Sequence, residues 1–204
     1  MGSEQTLIPY SSRSEEALLY AARVHALQFR KGTATPYIVH LLAVAAIVGE
    51  SGGIEDEVIA ALLHDAVEDQ GGLARLADIR ARFGEAVAAI VWGCTDAIIV
   101  PKPPWRARKE RYVAHLADAA PEALRVSSAD KLHNARAILT DLRVIGAPLW
   151  DRFTGGQAGT LWYYRALVDA FMARGGGPIV EELDRVVTAI EQVAAVTDLP
   201  QSAA

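Results

Sequence analysis

An all-α fold is predicted for this chain by three features of its sequence. Apolar residues recur at helical spacing in nearly every segment, no stretch shows sustained two-residue alternation, and glycines and prolines fall between the periodic segments. The 204 residues suffice for one domain with a sizeable core, and 51% hydrophobic with 22% charged residues is the balance of a folded globular protein. With no internal repeat, the chain reads as a single domain over residues 1–204, its core at about 12–174 and a C-terminal helix at about 178–196 beyond a glycine joint.

Each element has its own warrant. Ser12 with Glu15 reads as a capping box, followed by Leu18, Leu19, Ala22 and Ala26 on one face. Thr35-Pro36 reads as the N-cap and first turn of a second helix that carries Ile38, Leu41, Leu42, Ala45 and Val48, until Gly49, Gly52 and Gly53 break it. A third helix is expected over about 54–69, stopped by Gly71-Gly72, then a shorter one over about 73–83 closed by Gly84, and another over about 85–95. Pro101, Pro103 and Pro104 make the next stretch an irregular loop. Helices are expected again over about 105–119, 121–144 and 160–173. Gly175-Gly176-Gly177 then forms a joint before a last amphipathic helix with Ile179, Leu183, Val186, Val187 and Ile190. The apolar face of that helix would pack back on its own domain or serve a homodimer.

Charge and composition exclude several functions. A net charge of -5 repels nucleic acid and anionic membrane, so any phosphorylated partner must be small and met by locally concentrated positive charge or a metal. No apolar run approaches the ~18 residues of a membrane span, and no signal peptide opens the chain. Met1-Gly2-Ser3-Glu4-Gln5-Thr6 formally fits a myristoylation pattern, but a match this short carries little weight. The single Cys94 rules out an internal disulfide and suits a reducing compartment; it reads as a small buried apolar residue rather than a catalytic thiol. A cytoplasmic location is expected.

The informative segment is Ala60-Ala61-Leu62-Leu63-His64-Asp65-Ala66-Val67-Glu68-Asp69, where four polar residues interrupt an apolar helix. Residues four apart in a helix lie about 40° apart around its axis, so His64 shares a face with Glu68, and Asp65 with Asp69. Burying so many charges without compensation would cost several kcal/mol. A solvated helix end would explain Glu68 and Asp69 alone, but not a His-Asp pair directly behind Ala-Ala-Leu-Leu. A divalent cation accounts for both, and imidazole with carboxylate is ligand chemistry for Mn, Fe, Co or Zn. His25 stands among apolar residues, where a lone histidine is more often a satisfied core residue than a ligand. Asp130 follows Val126-Ser127-Ser128-Ala129, and Asn134 lies one turn further on. Together His25, His64, Asp65 and Asp130 would supply four ligands from three helices, leaving positions for water and substrate.

The order His…His-Asp…Asp resembles the signature of the HD superfamily of metal-dependent phosphohydrolases. The finer likeness is to the hydrolase domain of RelA/SpoT-type alarmone enzymes and to the free-standing small alarmone hydrolases. It is carried by His25-Ala26-Leu27-Gln28-Phe29-Arg30-Lys31-Gly32, Pro36-Tyr37-Ile38-Val39-His40, Ala61-Leu62-Leu63-His64-Asp65-Ala66-Val67-Glu68-Asp69, Thr95-Asp96 and Ala129-Asp130-Lys131-Leu132-His133-Asn134-Ala135-Arg136, in the family's order. The resemblance implies a compact multi-helix bundle with a metal site between helices. It also implies hydrolysis of the 3′-pyrophosphate of (p)ppGpp or (p)ppApp to give pyrophosphate and a nucleoside di- or triphosphate, usually with Mn²⁺, in the stringent response. Carried over residue by residue, His25, His64, Asp65 and Asp130 are the metal ligands, and Glu68 and Asp69 orient or deprotonate the attacking water. Asn134 matches a nucleoside contact, Arg30 and Lys31 a basic pair near the substrate, and Tyr37 belongs to the same substrate segment.

A second basic group, Lys102, Arg106, Arg108, Lys109 and Arg111 with Trp105 among them, surrounds the proline loop. We expect Lys102, Arg106 and Lys109 to lip the site and hold the nucleotide's 5′-phosphates, or the segment to stack its base; a plain solvated helix start is the competing reading. The chain departs from the family where no proline follows His40, where Gln70 replaces the usual Thr, and where Gly32-Thr33 stands in place of Ser-Gly. None of these is a proposed ligand, and no length remains for a synthetase domain. Two alternatives stand beside alarmone hydrolysis: another HD phosphohydrolase acting on NADPH or a nucleoside monophosphate, and a non-catalytic nucleotide sensor.

Overall fold

The computed structural model of the chain describes residues 11–96, 101 and 103–197. Among the described residues there are ten α-helices, one 3-10 turn and an isolated β-bridge, and no strand. The helices are α1 (Ser12–Val24), α2 (Ile38–Glu50), α3 (Glu55–Leu63), α4 (Ala66–Asp69), α5 (Gly72–Phe83), α6 (Glu85–Cys94), α7 (Trp105–His115), α8 (Pro121–Ile145), α9 (Gly156–Ala173) and α10 (Pro178–Thr197). No described helix is long and apolar enough to cross a membrane. Lys102 and the Met1–Thr6 pattern lie outside the described residues.

Local chemistry corrects three expectations. Ser11, not Ser12, caps α1: its Oγ accepts from the Arg13 N–H at 3.0 Å. Thr35-Pro36 does not start α2. A residue before proline is pushed out of the α region, and here Thr35 and Pro36 form the return arm of a tight hairpin. The Arg30 N–H donates to Thr35 O at 2.8 Å, the Tyr37 N–H to Gln28 O at 2.9 Å, and Phe29 bridges Pro36. The third helix is not continuous either. It stops at Leu63, and a second short helix begins at Ala66. The His64 ring reaches back to Ala61 O at 2.8 Å, occupying the carbonyl that would carry the next rung of the ladder. Smaller differences are that α7 ends at His115, that Ala147–Arg152 forms the 3-10 turn, and that α9 begins at Gly156.

Two hydrophobic cores flank one long helix. The first is built by α1 to α6, with Leu41, Ile59, Leu63, Ile79 and Val91 fully or almost fully buried. The second joins α7, the 3-10 turn, α9 and α10 through Leu116, Leu149, Leu167, Leu183 and Ile190. Helix α8, 25 residues and thus about 38 Å long, belongs to both. Its Val126 and Ala129 lie in the first core, while Leu132, Ala135, Ile138 and Leu142 lie in the second. Asp130 sits at the crossing. The left-handed backbone of Gly175, Gly176 and Gly177 folds α10 back, so its apolar face is covered by the second core rather than left for a second copy.

Candidate active site

At the crossing of the two cores, α3, α8 and the start of α2 bring acids and imidazoles together. His64 Nε2 lies 2.9 Å from Asp65 Oδ2 and 3.7 Å from Asp130 Oδ1. His40 Nε2 lies 3.2 Å from Asp130 Oδ1 and 3.5 Å from Asp65 Oδ2. Donor atoms of His40, His64 and Asp65 all fall within 4.8 Å of one another. Tyr37 donates its hydroxyl to Asp65 Oδ2 at 2.7 Å and stacks on His25, with ring centroids 5.3 Å apart.

Hydrogen bonds fix which ring nitrogen is free. The carbonyl of Ala61 can only accept, so His64 carries its proton on Nδ1 and turns Nε2 to the carboxylates. Gln28 does the same for His25 through a short chain. Its amide Nε2 donates to Asp69 Oδ2 at 2.7 Å, so its Oε1 must face His25 Nδ1, at 2.6 Å, and accept that proton. The same Oε1 accepts from Gln70 Nε2 at 2.7 Å, which gives the residue replacing the family's threonine a part in the chain. His40 Nδ1 faces His133 Nδ1 at 2.8 Å, so one of the two rings donates to the other. The Nε2 atoms of His25, His40 and His64 are all buried and none makes an aligned hydrogen bond, those of His40 and His64 facing Asp65 and Asp130 at ion-pair distance.

Three buried imidazole nitrogens without an aligned hydrogen bond, two of them facing the carboxylates of Asp65 and Asp130, fit the donor set of a divalent transition ion. A second layer is also present, since metal-binding imidazoles commonly give their other N–H to a carbonyl. The ionisations agree. Burial lowers the pKa of His25, which keeps its ring neutral and its Nε2 lone pair available. Burial would raise the Asp65 and Asp130 carboxyls, but the neighbouring His64 and Lys131 charges hold both well below the usual range. Burial would lower His64, yet Asp65 and Asp130 hold it well above the ordinary imidazole value, the mark of concentrated negative charge. His133 is pushed down to about 4 by burial and by His40.

Around this centre, Glu68 accepts the backbone N–H of Asp96 at 3.2 Å. Asn134 donates to Asp130 Oδ1 at 2.5 Å and accepts from Arg30 Nη2 at 2.8 Å, so a basic residue of the hairpin is wired to a centre carboxylate. A cavity of about 370 Å³ opens beside His40 and His133, with Arg30, Lys31 and Asn134 in its wall. Lys109 reaches the neighbouring space and pairs with buried Asp96 at 2.8 Å.

The structure thus gathers His64, Asp65 and Asp130 tightly, with Glu68, Asp69, Arg30, Lys31, Asn134 and Lys109 around them. Two placements differ from the sequence reading. His25 follows the end of α1 as its C-cap and lies behind Tyr37 rather than within the tightest group. Arg106 points away from both cavities, 3.2 Å above the Trp162 ring and paired with Glu110, because the helical phase set at Trp105 turns it outward. Trp105 packs part of its indole into a notch at Gly155, where a Cβ would stand 2.6 Å from the ring, and also lines the space that Lys109 reaches. His40, His133 and Lys131 were quoted in the family blocks without a role, yet all three touch the centre. Cys94 is pushed up to about 11 by burial, which suits its reading as a packing residue.

Residues 17–144 match the HD domain family. The chain is 41% identical over 124 residues to guanosine-3′,5′-bis(diphosphate) 3′-pyrophosphohydrolase MESH1 of Xenopus tropicalis, covering 59% of this chain and 66% of that protein. To the Homo sapiens protein of the same name it is 40% identical over 139 residues, covering 67% of this chain and 72% of that one. Among solved structures it resembles one described as a metazoan ortholog of SpoT that hydrolyzes ppGpp and plays a role in starvation responses. That likeness has a TM-score of 0.74 at 28% identity and covers 89% of this chain and 97% of the other.

Proposed function

Since the chain belongs to the HD domain family, we propose that it is a metal-dependent phosphohydrolase that removes the 3′-pyrophosphate of (p)ppGpp-type alarmones, with (p)ppApp as the alternative base to be tested. The observation that carries this is the gathering of the buried His40 and His64 Nε2 atoms on the carboxylates of Asp65 and Asp130, with the Nε2 of His25 buried without a hydrogen bond close by. His25, His64, Asp65 and Asp130 hold the ion in this reading, with His40 Nε2 within reach of the same position. Mn²⁺ is the ion we assign, in a cytoplasmic protein working as one domain. The ion supplies Lewis acidity toward the phosphoryl oxygens and acidifies water, a shift from 15.7 towards ~7 in favourable sites.

The chain's own groups do the rest. Glu68, held by the Asp96 N–H, or Asp69 beside it, receives the proton of the attacking water. The water oxygen bonds to phosphorus, the bond from phosphorus to the 3′ oxygen breaks, and that oxygen gains a proton. Pyrophosphate and GDP or GTP leave. Arg30, Lys31 and Asn134 line the nucleoside cavity, and Tyr37 orders Asp65 through its hydroxyl.

The test is incubation with Mn²⁺ and a panel of ppGpp, pppGpp, ppApp, NADPH and nucleoside monophosphates, beside Asp65→Ala. Pyrophosphate released from an alarmone by the wild type alone is expected. Phosphate released only from NADPH or a monophosphate would overturn the substrate assignment while keeping the metal centre.

A further inference from the structure

Polar groups that the hydrolysis does not use directly converge at the end of α4. Gln70 is the C-cap of that four-residue helix, and its backbone is held from both sides. Its N–H donates to Ala66 O at 3.0 Å, and its carbonyl accepts from Arg75 Nε at 2.8 Å. Arg75 is braced in turn by Tyr20, whose hydroxyl accepts from Arg75 Nη1 at 2.9 Å and donates to Asp78 Oδ2 at 2.6 Å. The Gln70 side chain therefore leaves from a fixed point, and it reaches Gln28, 42 residues away in the chain.

The Gln28 amide has partners at both ends. Its Nε2 donates to Asp69 Oδ2 at 2.7 Å, while its Oε1 takes the Gln70 N–H at 2.7 Å and the His25 Nδ1 proton at 2.6 Å. Asp69 can only accept, so it decides which end of the amide it meets. The other end then needs donors, and Gln70 supplies one. Two residues of the site thus share a single amide: the carboxylate beside the attacking water, and the ring whose Nε2 is buried without a hydrogen bond. A proton held on Nδ1 keeps that Nε2 lone pair available, so a displaced Gln28 disturbs both residues at once. The family's usual threonine ends two bonds nearer the backbone, and its hydroxyl would leave the Gln28 carbonyl one donor short.

We propose that Gln70 is a positioning residue, acting through the Gln28 amide on Asp69 and on the tautomer of His25 together, a role that rests on the metal-dependent hydrolysis assigned above. Its site of action is the second layer, one side chain removed from the groups that hold metal or water.

Two substitutions of nearly equal length separate the donor from the bulk. Gln70→Met keeps the reach and removes the donor, and Gln70→Glu replaces the donor by an acceptor. The readouts are the Mn²⁺ Kd of the metal-stripped chain by calorimetry, kcat and KM for ppGpp at saturating Mn²⁺, and the nitrogen NMR shifts of the His25 ring. Gln70→Met should raise the Mn²⁺ Kd and lower kcat, each about three- to ten-fold, the worth of one hydrogen bond, with KM unchanged. Gln70→Glu should weaken Mn²⁺ binding further, because two carboxylates then compete for one Gln28 amide nitrogen and His25 loses its acceptor. Its ring should shift toward the tautomer with the proton on Nε2. Charge alone would do the reverse, since a carboxylate added near a cation site tightens binding. Tighter Mn²⁺ binding or an unmoved His25 tautomer in Gln70→Glu would overturn the proposal. A wild-type Kd and kcat in Gln70→Met, with only the urea midpoint lowered, would also overturn it and make Gln70 a packing residue. If the wild type hydrolyses no alarmone, the substrate reading fails, while Mn²⁺ affinity and the His25 tautomer still decide the role of Gln70.

Discussion

The core formed by α1 to α6 is rich in alanine and aliphatic residues, with Tyr20 and Phe83 as its buried aromatic rings. The core formed by α7 to α10 contains Tyr112, Trp150, Tyr163, Tyr164 and Phe171. Helix spacing follows side-chain size. Around the catalytic centre Ala60, Ala61, Ala66 and Ala129 are almost completely buried, which lets α3 and α8 approach closely enough for short Asp and His side chains to meet. The aromatic half sets its helices around larger side chains, and both cavities take walls from it: Phe153 and Tyr164 in each, Tyr163 in the second. Close packing therefore builds the reacting centre, and bulky packing builds the substrate cleft. The match to the HD domain family ends at residue 144, so α9 and α10 lie beyond the part of the chain that contains His25, His64, Asp65 and Asp130.

The largest expected effect separates these two roles. Glu68→Gln should lower kcat by ~10²–10⁴-fold, the usual worth of a positioned general base, while bound metal measured by elemental analysis stays unchanged. A loss of metal in this variant would mean that Glu68 is a ligand, and the division of labour in the first half would have to be redrawn.

Asp96→Asn attacks the seam between the halves. Its backbone N–H holds Glu68 in one, and its carboxylate holds Arg108 and Lys109 in the other. Removing one partner of a buried ion pair typically costs about 3–5 kcal/mol, because the remaining charges stay buried. The variant should unfold at a lower urea midpoint with an unchanged m value and show a raised KM. Full stability would indicate that Arg108 and Lys109 find other anions or reach water.

How much of this could be read from the residues follows the same divide. His64-Asp65 was legible because ionisable groups behind Ala-Ala-Leu-Leu need a reason to be there. The helix break between His64 and Ala66 was not, since it depends on a ring bonding to the Ala61 carbonyl, and periodicity carries no trace of such a bond. His40 was hidden by its neighbours: on an apolar helix beside buried Leu41 and Val44 it looks like any satisfied core histidine. The signal that could have found it was the pairing of two such buried histidines, His40 and His64, in one chain. In the second half the basic residues were legible as a group, but not by role. The phase of α7, with Trp105 packed at Gly155, turns Lys109 toward Asp96 and Arg106 out over Trp162, and the run of basic residues does not carry that phase.

Gln28→Ala sharpens the comparison within the first half. It removes the acceptor that fixes the His25 ring and the donor that holds Asp69. Loss of such a supporting contact usually weakens metal binding about 10–100-fold. A Mn²⁺ titration followed by activity should show that shift, with KM for the nucleotide at saturating metal unchanged. An unchanged titration would take His25 out of the ligand set and leave His40 as the second imidazole beside His64.

The smallest effect is expected where the second half is closed on itself. Arg165 of α9 reaches α10 by three carboxylate contacts: Nη1 to Asp184 Oδ1 at 2.5 Å, and Nε and Nη2 to the two oxygens of Glu191 at 3.0 and 2.7 Å. The fork on Glu191 is good geometry, but these side chains keep a third or more of their surface in water, and such pairs are each worth about 0.2–1 kcal/mol. Arg165→Ala should therefore lower Tm by only a few degrees, and 1 M salt should narrow the difference by screening the wild-type pairs. Metal content and kcat should not move, because the apolar face of α10 with Leu183 and Ile190 buried still holds the helix in place. A raised KM in this variant would show that the α9–α10 contact sets the position of Tyr163 and Tyr164, which would make the closure of the second half part of substrate recognition.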